Sequence, residues 1–380
     1  MKHMKFLSFF LGVTFSIVAC SSNNEIIPVP DVDPDGDDGT TEVEFAKGAD
    51  IGWVTEYESK GYNFYNAKGE QRECTALMKE LGLNAIRIRV WVDPSKHGNW
   101  CNTADVVEKA KRAKELGMDV MIDFHYSDWW ADPAQQNKPA SWVGKNLANL
   151  KSAIKDHTVS VLQALKTIGV IPKWVQVGNE IRPGMLWDED VALSGASYNV
   201  TEKDLKDAPA SATDKVVYPM NWANLGAFVT TGYDAVKSVF PDAIVIVHLD
   251  NGWDSGLFTW FFDELKKNGG KWDMIGMSLY PYWSRDAKEG YSSADAVITD
   301  CISNIKALST KYNCDVMVVE TGMECADDNG KLASNSVLNE GKRQLARILK
   351  ECKENTNGRC KGVFYWEPAV SYTHLRAHET

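Results

Sequence analysis

What this chain lacks narrows its chemistry before any motif is considered. Basic residues do not outnumber acidic ones: 41 Lys and Arg stand against 52 Asp and Glu, a net charge of −11. That balance argues against nucleic acid and other polyanions as partners and makes a neutral substrate the simpler reading. No two cysteines have the CxxC spacing of a zinc site, no Gly-rich stretch between strand and helix cradles a phosphate, and no GxSxG elbow marks a serine hydrolase. His125 and His248, with Asp123 and Asp250 close by in sequence, fit a mixed polar cleft without a catalytic metal. No cofactor is expected for catalysis.

The ends differ from the middle. Lys2, His3 and Lys5 precede the apolar run Phe6 to Val18, so residues 1–20 have the form of a secretory leader. The run is too short for a permanent bilayer span. Ile17-Val18-Ala19-Cys20 resembles a bacterial lipobox, which implies lipidation of Cys20 and an exported lipoprotein anchored in the outer membrane or at the cell surface. Residues 21–44, rich in Ser, Asn, Pro, Asp and Gly, form a flexible acidic linker unable to bury apolar surface. Asp31, Asp33, Asp35, Gly36 and Glu42 match an EF-hand spacing, but Pro34 interrupts it, Asp38 occupies a usually apolar place and no amphipathic helix flanks it. Beyond Cys20 the cysteines are Cys74, Cys101, Cys301, Cys314, Cys325, Cys352 and Cys360; the odd number leaves at least one free, and Cys352 and Cys360 are placed for a local bridge. Residues 371–380 read unlike the rest, as an atypical tail where a closing helix is expected.

Between these ends, residues 45–370 alternate short β-branched runs with amphipathic stretches, the signature of βαβ units. Eight runs are countable: 46–53, 85–91, 119–124, 174–180, 243–249, 274–279, 315–320 and 362–366. An α/β fold of the (β/α)8 barrel type accommodates them, with its active site at the carboxyl ends of the strands. Residues 186–219 are a long polar loop of the kind that builds a cleft wall.

Two strands end in the same way. Trp174-Val175-Gln176-Val177-Gly178-Asn179-Glu180 and Met317-Val318-Val319-Glu320 each run from apolar residues into a glutamate. Two carboxylates at one barrel mouth are what glycosidic cleavage requires, one protonated to give a proton to the leaving oxygen and one ionised to meet the developing oxocarbenium ion. The other strand ends supply Asp50, Trp91, His125, Asp128, His248, Asp250, Tyr280 and Trp366, aromatic faces and short polar groups suited to a sugar. Asn179 is expected to bond the sugar 2-hydroxyl and Tyr280 to orient Glu320. Arg87 and Arg89 share one strand face. Arg89, nearer the carboxyl end, is expected beside Glu320, and Arg87 in an ion pair lower down; Trp174 and Trp366 are expected as an apolar wall beside Glu180.

Gly48-Ala49-Asp50-Ile51, Arg89-Val90-Trp91-Val92-Asp93-Pro94, Asp123-Phe124-His125-Tyr126-Ser127-Asp128, Gln176 to Glu180 and Phe364-Tyr365-Trp366-Glu367-Pro368-Ala369 together resemble the endo-β-1,4-galactanases of glycoside hydrolase family 53. The resemblance runs from Phe45 to Ala369. It implies a (β/α)8 barrel, with Glu180 as acid/base and Glu320 as nucleophile of a retaining endo-acting enzyme on the β-1,4-galactan side chains of pectin. A monomer is expected. Some family members hold a structural calcium after the seventh strand, but Met323 to Gly330 is a poor match here. Alternative readings are a mannanase or glucanase of the same clan, and a surface lipoprotein that binds glycans without cleaving them.

Overall fold

A computed structural model describes residues 44–133, 135–187, 221–282, 284, 293–324 and 333–368. Its strands are β1 (Ala46–Asp50), a short hairpin of β2 (Phe64–Tyr65) and β3 (Gln71–Arg72), β4 (Ala85–Val90), β5 (Asp119–Phe124), β6 (Trp174–Val177), β7 (Ile244–Leu249), β8 (Met274–Leu279), β9 (Asp315–Thr321) and β10 (Cys360–Trp366). All but the hairpin pair in parallel and close a barrel in the order β1-β10-β9-β8-β7-β6-β5-β4. The eight strands are those read from the sequence, and the (β/α)8 fold follows from them.

The longer helices among the described residues are α1 (Val54–Ser59), α2 (Cys74–Glu80), α3 (Thr103–Glu115), α4 (Leu147–Thr167), α5 (Trp222–Val239), α6 (Ser255–Lys267), α7 (Ala294–Tyr312) and α8 (Asn335–Glu354). Their starts are set locally. Asn102, Asn146, Asn221, Asp254 and Ser334 each accept a backbone N–H three residues on, satisfying a donor that the first turn leaves without a partner. Helix α1 and the hairpin were not expected. The first strand ends at Asp50, not Trp53, because Val54 N–H turns back to the Ile51 carbonyl and begins α1.

Alternation divides the strand side chains between two apolar regions. One lies between strands and helices and includes Val175, Val177, Val245, Val247, Val316 and Val318. The other plugs the barrel floor with Trp174, Phe364, Met121, Ile246, Met274, Met317 and Val319. Trp174 therefore belongs to the floor, where its ring meets Phe364 edge-on at 6.0 Å, and it is not a wall beside Glu180. Phe364 fits only because residue 48 is glycine: a Cβ there would lie 2.1 Å from its ring.

Above that floor the barrel interior turns polar. Register places Asp50 beside Arg87, Arg89 beside Asp123 and Asp123 beside Gln176. The pairing of β8 with β9 shifts between Met277 and Ser278, so that Val319 is an extra residue in its strand. Val319 and Glu320, although adjacent, both face inward as a result. A bulge commonly re-aims a side chain in this way.

The described cysteines Cys74, Cys101, Cys301, Cys314, Cys352 and Cys360 are free thiols. Cys352 and Cys360 are both free and not the bridge expected from their positions. The leader with Cys20, the linker, the polar loop from 188 on, the strand-seven segment 325–332, Cys325 and the tail with any closing helix lie outside the described residues.

Candidate active site

The centre of the cleft is Arg87. Its Nη1 donates to Asp50 Oδ2 (3.0 Å) and Glu320 Oε2 (3.1 Å), and its Nη2 to Asp123 Oδ2 (2.8 Å) and Asn179 Oδ1 (2.8 Å). One guanidinium thus ties β1, β5, β9 and the end of β6 together. Four oxygen acceptors supply the compensation that a cation with 1% of its surface exposed requires. Arg89 does not approach Glu320 in this way. Its Nη1 donates to Glu367 Oε1 and to Asp50 Oδ1 (3.4 Å), and its guanidinium lies 4.3 Å from the Trp130 ring centre and 4.9 Å from that of Trp53. Arg87, and not Arg89 as expected, is therefore the partner of Glu320, and Arg89 forms a separate ion pair with Glu367 and Asp50. The cause is geometric: a long side chain carries its charge above its own backbone, so Arg87 reaches the level of Glu320. Arg89 folds instead over Gly52, where a Cβ would lie 2.3 Å from Nη1.

Glu180 and Glu320 face each other across this centre. Oxygen atoms of both and a ring nitrogen of His248 all lie within 4.8 Å of one another. Glu180 is reached through a tight turn in which Gly178 has φ 84° and Glu180 itself has φ 49°. For a non-glycine residue the left-handed region carries strain, which surrounding contacts must hold in place. Glu180 Oε1 accepts from Ser278 Oγ at 2.5 Å, and Glu320 Oε1 accepts from Tyr280 Oη at 2.6 Å.

Burial raises the pKa of both carboxyls, but their partners separate them. Glu180 is pushed well above the usual carboxylate range by burial and then by the charges of Glu320 and Asp250, against one opposing hydroxyl donor. Glu320 rises only to about 7, because Arg87 and the Tyr280 hydroxyl favour its charged form. The proton shared by this pair therefore resides preferentially on Glu180.

Glu180, His248 and Glu320 could offer ligands to a metal ion on distance alone. Their chemistry fits one poorly. His248 Nε2 already bonds Ser278 Oγ at 2.8 Å, its Nδ1 faces Gln176 Nε2 at 2.9 Å, and Arg87 would oppose a second cation at Glu320.

The remaining sequence candidates fall into three groups. Asp50, Asn179 and Tyr280 join the central cluster, and His125 borders it through Nε2 to Asp123 Oδ2 (3.0 Å). Asp250 stands beside Glu180 and is held by both its oxygens on Arg182 Nε (2.8 and 3.1 Å). The rest do not present themselves to a ligand as expected. His248 has 0% of its surface exposed, so it stands behind the cleft. Trp91, at 1%, is covered by Trp129 and Trp130 at 4.4 and 5.3 Å, and Trp366 is packed among Trp53 and Trp130. Asp128 braces loops, accepting the Asp93 and Ala140 N–H groups.

Sequence reasoning passed over Gln176, Ser278 and Glu367 and placed Arg87 too low. Gln176 and Ser278 carried a signal, since each is a polar residue at an inward position of an otherwise apolar strand. Glu367 carried none: it follows the strand and is turned inward by a φ of 43°. Beside Arg89 and Asp50, its buried carboxyl is pushed up to about 8, mainly by burial.

Comparison with known proteins extends this geometry to a lineage. The sequence matches the family described as glycosyl hydrolase family 53 over residues 46–379. It is 30% identical over 335 residues to an arabinogalactan endo-β-1,4-galactanase of Thermothelomyces thermophilus, covering 85% of this chain and 89% of that one. It is 29% identical to an endo-β-1,4-galactanase of Bacillus subtilis, covering 86% and 70%. A solved fungal β-1,4-galactanase superposes with a TM-score of 0.70 at 28% identity, over 88% of this chain and 92% of that one.

Proposed function

The chain belongs to glycosyl hydrolase family 53 and is a glycosidase of the arabinogalactan endo-β-1,4-galactanase class; from that premise we propose that it cleaves β-1,4-galactan side chains of pectin with retention. The observation that carries this reading is the pair Glu180 and Glu320, with oxygens within 4.8 Å and a cation on only one of them. Retaining enzymes hold their carboxyls about 5–5.5 Å apart and inverting ones about 6.5–9.5 Å with a water between them, and one oxygen of each glutamate within 4.8 Å of the other supports the retaining reading.

In the first step Glu320 forms a bond to the anomeric carbon as the glycosidic bond breaks, and the leaving oxygen takes the proton of Glu180. In the second, Glu180 takes a proton from water, whose oxygen replaces Glu320 at that carbon with the same stereochemistry. Consumption of the Glu320 charge in the intermediate removes the repulsion that kept Glu180 protonated, which lets it serve as base. Arg87 and Tyr280 hold the nucleophile, and the remaining N–H of Asn179 is directed to the sugar 2-hydroxyl. No cofactor enters either step.

The leader and lipobox support export and anchoring through lipidated Cys20 at the outer membrane or cell surface, with the galactan and the membrane as partners of a monomer. Incubation with β-1,4-galactan, mannan and glucan, followed by proton NMR of the first anomer released, tests the enzymatic reading. Galactan oligosaccharides appearing first as the β-anomer are expected; release from mannan or glucan alone, or first appearance of the α-anomer, overturns it. Cys20→Ser should move the protein from the membrane to the soluble fraction.

A further inference from the structure

Glu180 touches two worlds, and only one of its oxygens is accounted for by the reaction. Its Oε1 accepts from Ser278 Oγ at 2.5 Å, on the face of the residue turned into the barrel wall. Ser278 is 2% exposed, and its hydroxyl lies between Glu180 and His248. Behind it stands His248, whose Nε2 lies 2.8 Å from the same Oγ. Behind His248 is Gln176, whose Nε2 lies 2.6 Å from Asp123 Oδ1 and 2.9 Å from His248 Nδ1.

The direction of this chain follows from its far end. A carboxylate oxygen at 2.6 Å requires the Gln176 atom facing it to be the nitrogen. That amide and the Glu180 backbone N–H (3.4 Å) both point donors at His248 Nδ1. Among the described residues the acceptor near Nδ1 is Asn179 Oδ1, which already receives Arg87 Nη2 at 2.8 Å. Nδ1 therefore carries the lone pair and Nε2 the hydrogen. Burial and Arg87 depress the His248 pKa well below its ordinary value, which keeps the ring in this neutral form. With Nε2–H donating to its oxygen, Ser278 is left to turn its own hydrogen toward Glu180.

We infer that Ser278, oriented by His248, is the positioning residue of the acid/base: it occupies Oε1 and leaves Oε2 as the oxygen that carries the proton to the leaving group. The inference rests on the assignment of Glu180 as acid/base. The strained backbone at Glu180 makes such a tether necessary, since the φ of 49° does not by itself select a side-chain direction. The tether also acts on the proton. Ser278 favours the ionised form of Glu180, opposing burial, Glu320 on β9, Asp250 after β7 and Asp132 in the loop after β5. Among the described residues its further ionisable neighbours are Arg182 on the loop after Glu180 and Tyr280 after β8, with neutral His248 on β7.

Ser278→Ala, Ser278→Cys and Ser278→Thr test this in the full-length protein, with kcat/KM measured across pH on galactan and on dinitrophenyl β-galactoside, whose leaving group needs no proton. Loss of a hydrogen bond to a charged group predicts a fall of about 10- to 100-fold on galactan for Ser278→Ala. The value on the activated galactoside should stay within about threefold, and the basic limb on galactan should move to higher pH because Glu180 holds its proton more tightly. Ser278→Thr, which keeps the hydroxyl, should restore most of the loss. Should the alanine variant not fold, Ser278→Cys, a weak donor of similar size, carries the same expectation. Equal losses on both substrates with the limb in place would mean a structural role only, and unchanged galactan kinetics would overturn the inference. Wild-type protein inactive on both substrates would instead sink the enzymatic reading on which it rests.

Discussion

Replacing Arg87 by methionine removes the cation while keeping an unbranched apolar stem of similar length. Three carboxylates, those of Asp50, Asp123 and Glu320, lose their shared partner, and Asn179 loses a donor. Breaking a buried ion pair from one side costs about 3–5 kcal/mol, a large part of the roughly 5–15 kcal/mol that holds a typical domain folded. Part of that cost is relieved when a proton binds the bereft cluster. Glu320, at about 7 with Arg87 in place, moves higher without it, since the arginine favours the charged form. The acid limb of kcat/KM, which reports protonation of the nucleophile, should therefore shift to higher pH. At neutral pH the rate should fall about 10- to 100-fold from the lost charged hydrogen bond alone. Arg89→Met is the matched comparison. It too should lower stability, because Glu367 is left buried beside Asp50, yet the acid limb should hardly move, because Arg89 bonds Glu367 and Asp50 and not Glu320. Urea titrations and pH–rate profiles of both variants measure the two effects separately. An acid limb displaced by Arg89→Met as far as by Arg87→Met would refute the reasoning.

Three further outcomes are expected. Glu180→Ala should retain the first step on an activated aryl galactoside and regain turnover with azide, whereas Glu320→Ala should be inactive in both steps and yield at most a galactosyl azide of inverted configuration; the reverse pattern would exchange the two roles. Tyr280→Phe removes the hydroxyl 2.6 Å from Glu320 Oε1 and should lower kcat about 10- to 100-fold with little change in fold, checked by circular dichroism alongside rates. His157, half-buried on α4 against Phe124, Tyr126 and Trp142, has its pKa lowered to about 4 by burial. Its folded value lies below its unfolded value, so the unfolded chain binds the proton more tightly. Stability is fully present above about pH 6.5 and is lost as pH falls toward 4, by up to about 3 kcal/mol. His157→Phe should flatten that part of the stability profile, and an unchanged slope in denaturant titrations would remove His157 as its source.

Much of the barrel could be read from the chain because its information is local. The runs Ala85–Val90, Asp119–Phe124 and Met274–Leu279 are bounded by residues that stop or turn a strand, and each appears where periodicity puts it. Helix α1 and the hairpin after it escaped notice because six residues and two pairs are too short to show a period. Among the candidate site residues, those whose backbone already lies at a strand end and inside the barrel, such as Asp50 and Tyr280, reach the central cluster. Aromatic residues were harder to place, because Trp91 and Trp366 look alike whether a ring faces a sugar or another tryptophan.

The sequence by itself determined the eight barrel strands, the fold they form and the position of two glutamates at strand ends, since strand periodicity and apolar runs act over a few residues. Only the tertiary structure decided how those glutamates are aimed. Strict alternation with Val319 inside would have pointed Glu320 outward, and a bulge against β8 turns it in. Glu180 and Glu367 enter the interior through left-handed turns that no propensity favours. The guanidinium of Arg87 rises to Glu320 while that of Arg89 folds over Gly52 to Glu367, because the charge of an arginine sits far from its own backbone and goes where the packed barrel leaves room and a counter-charge.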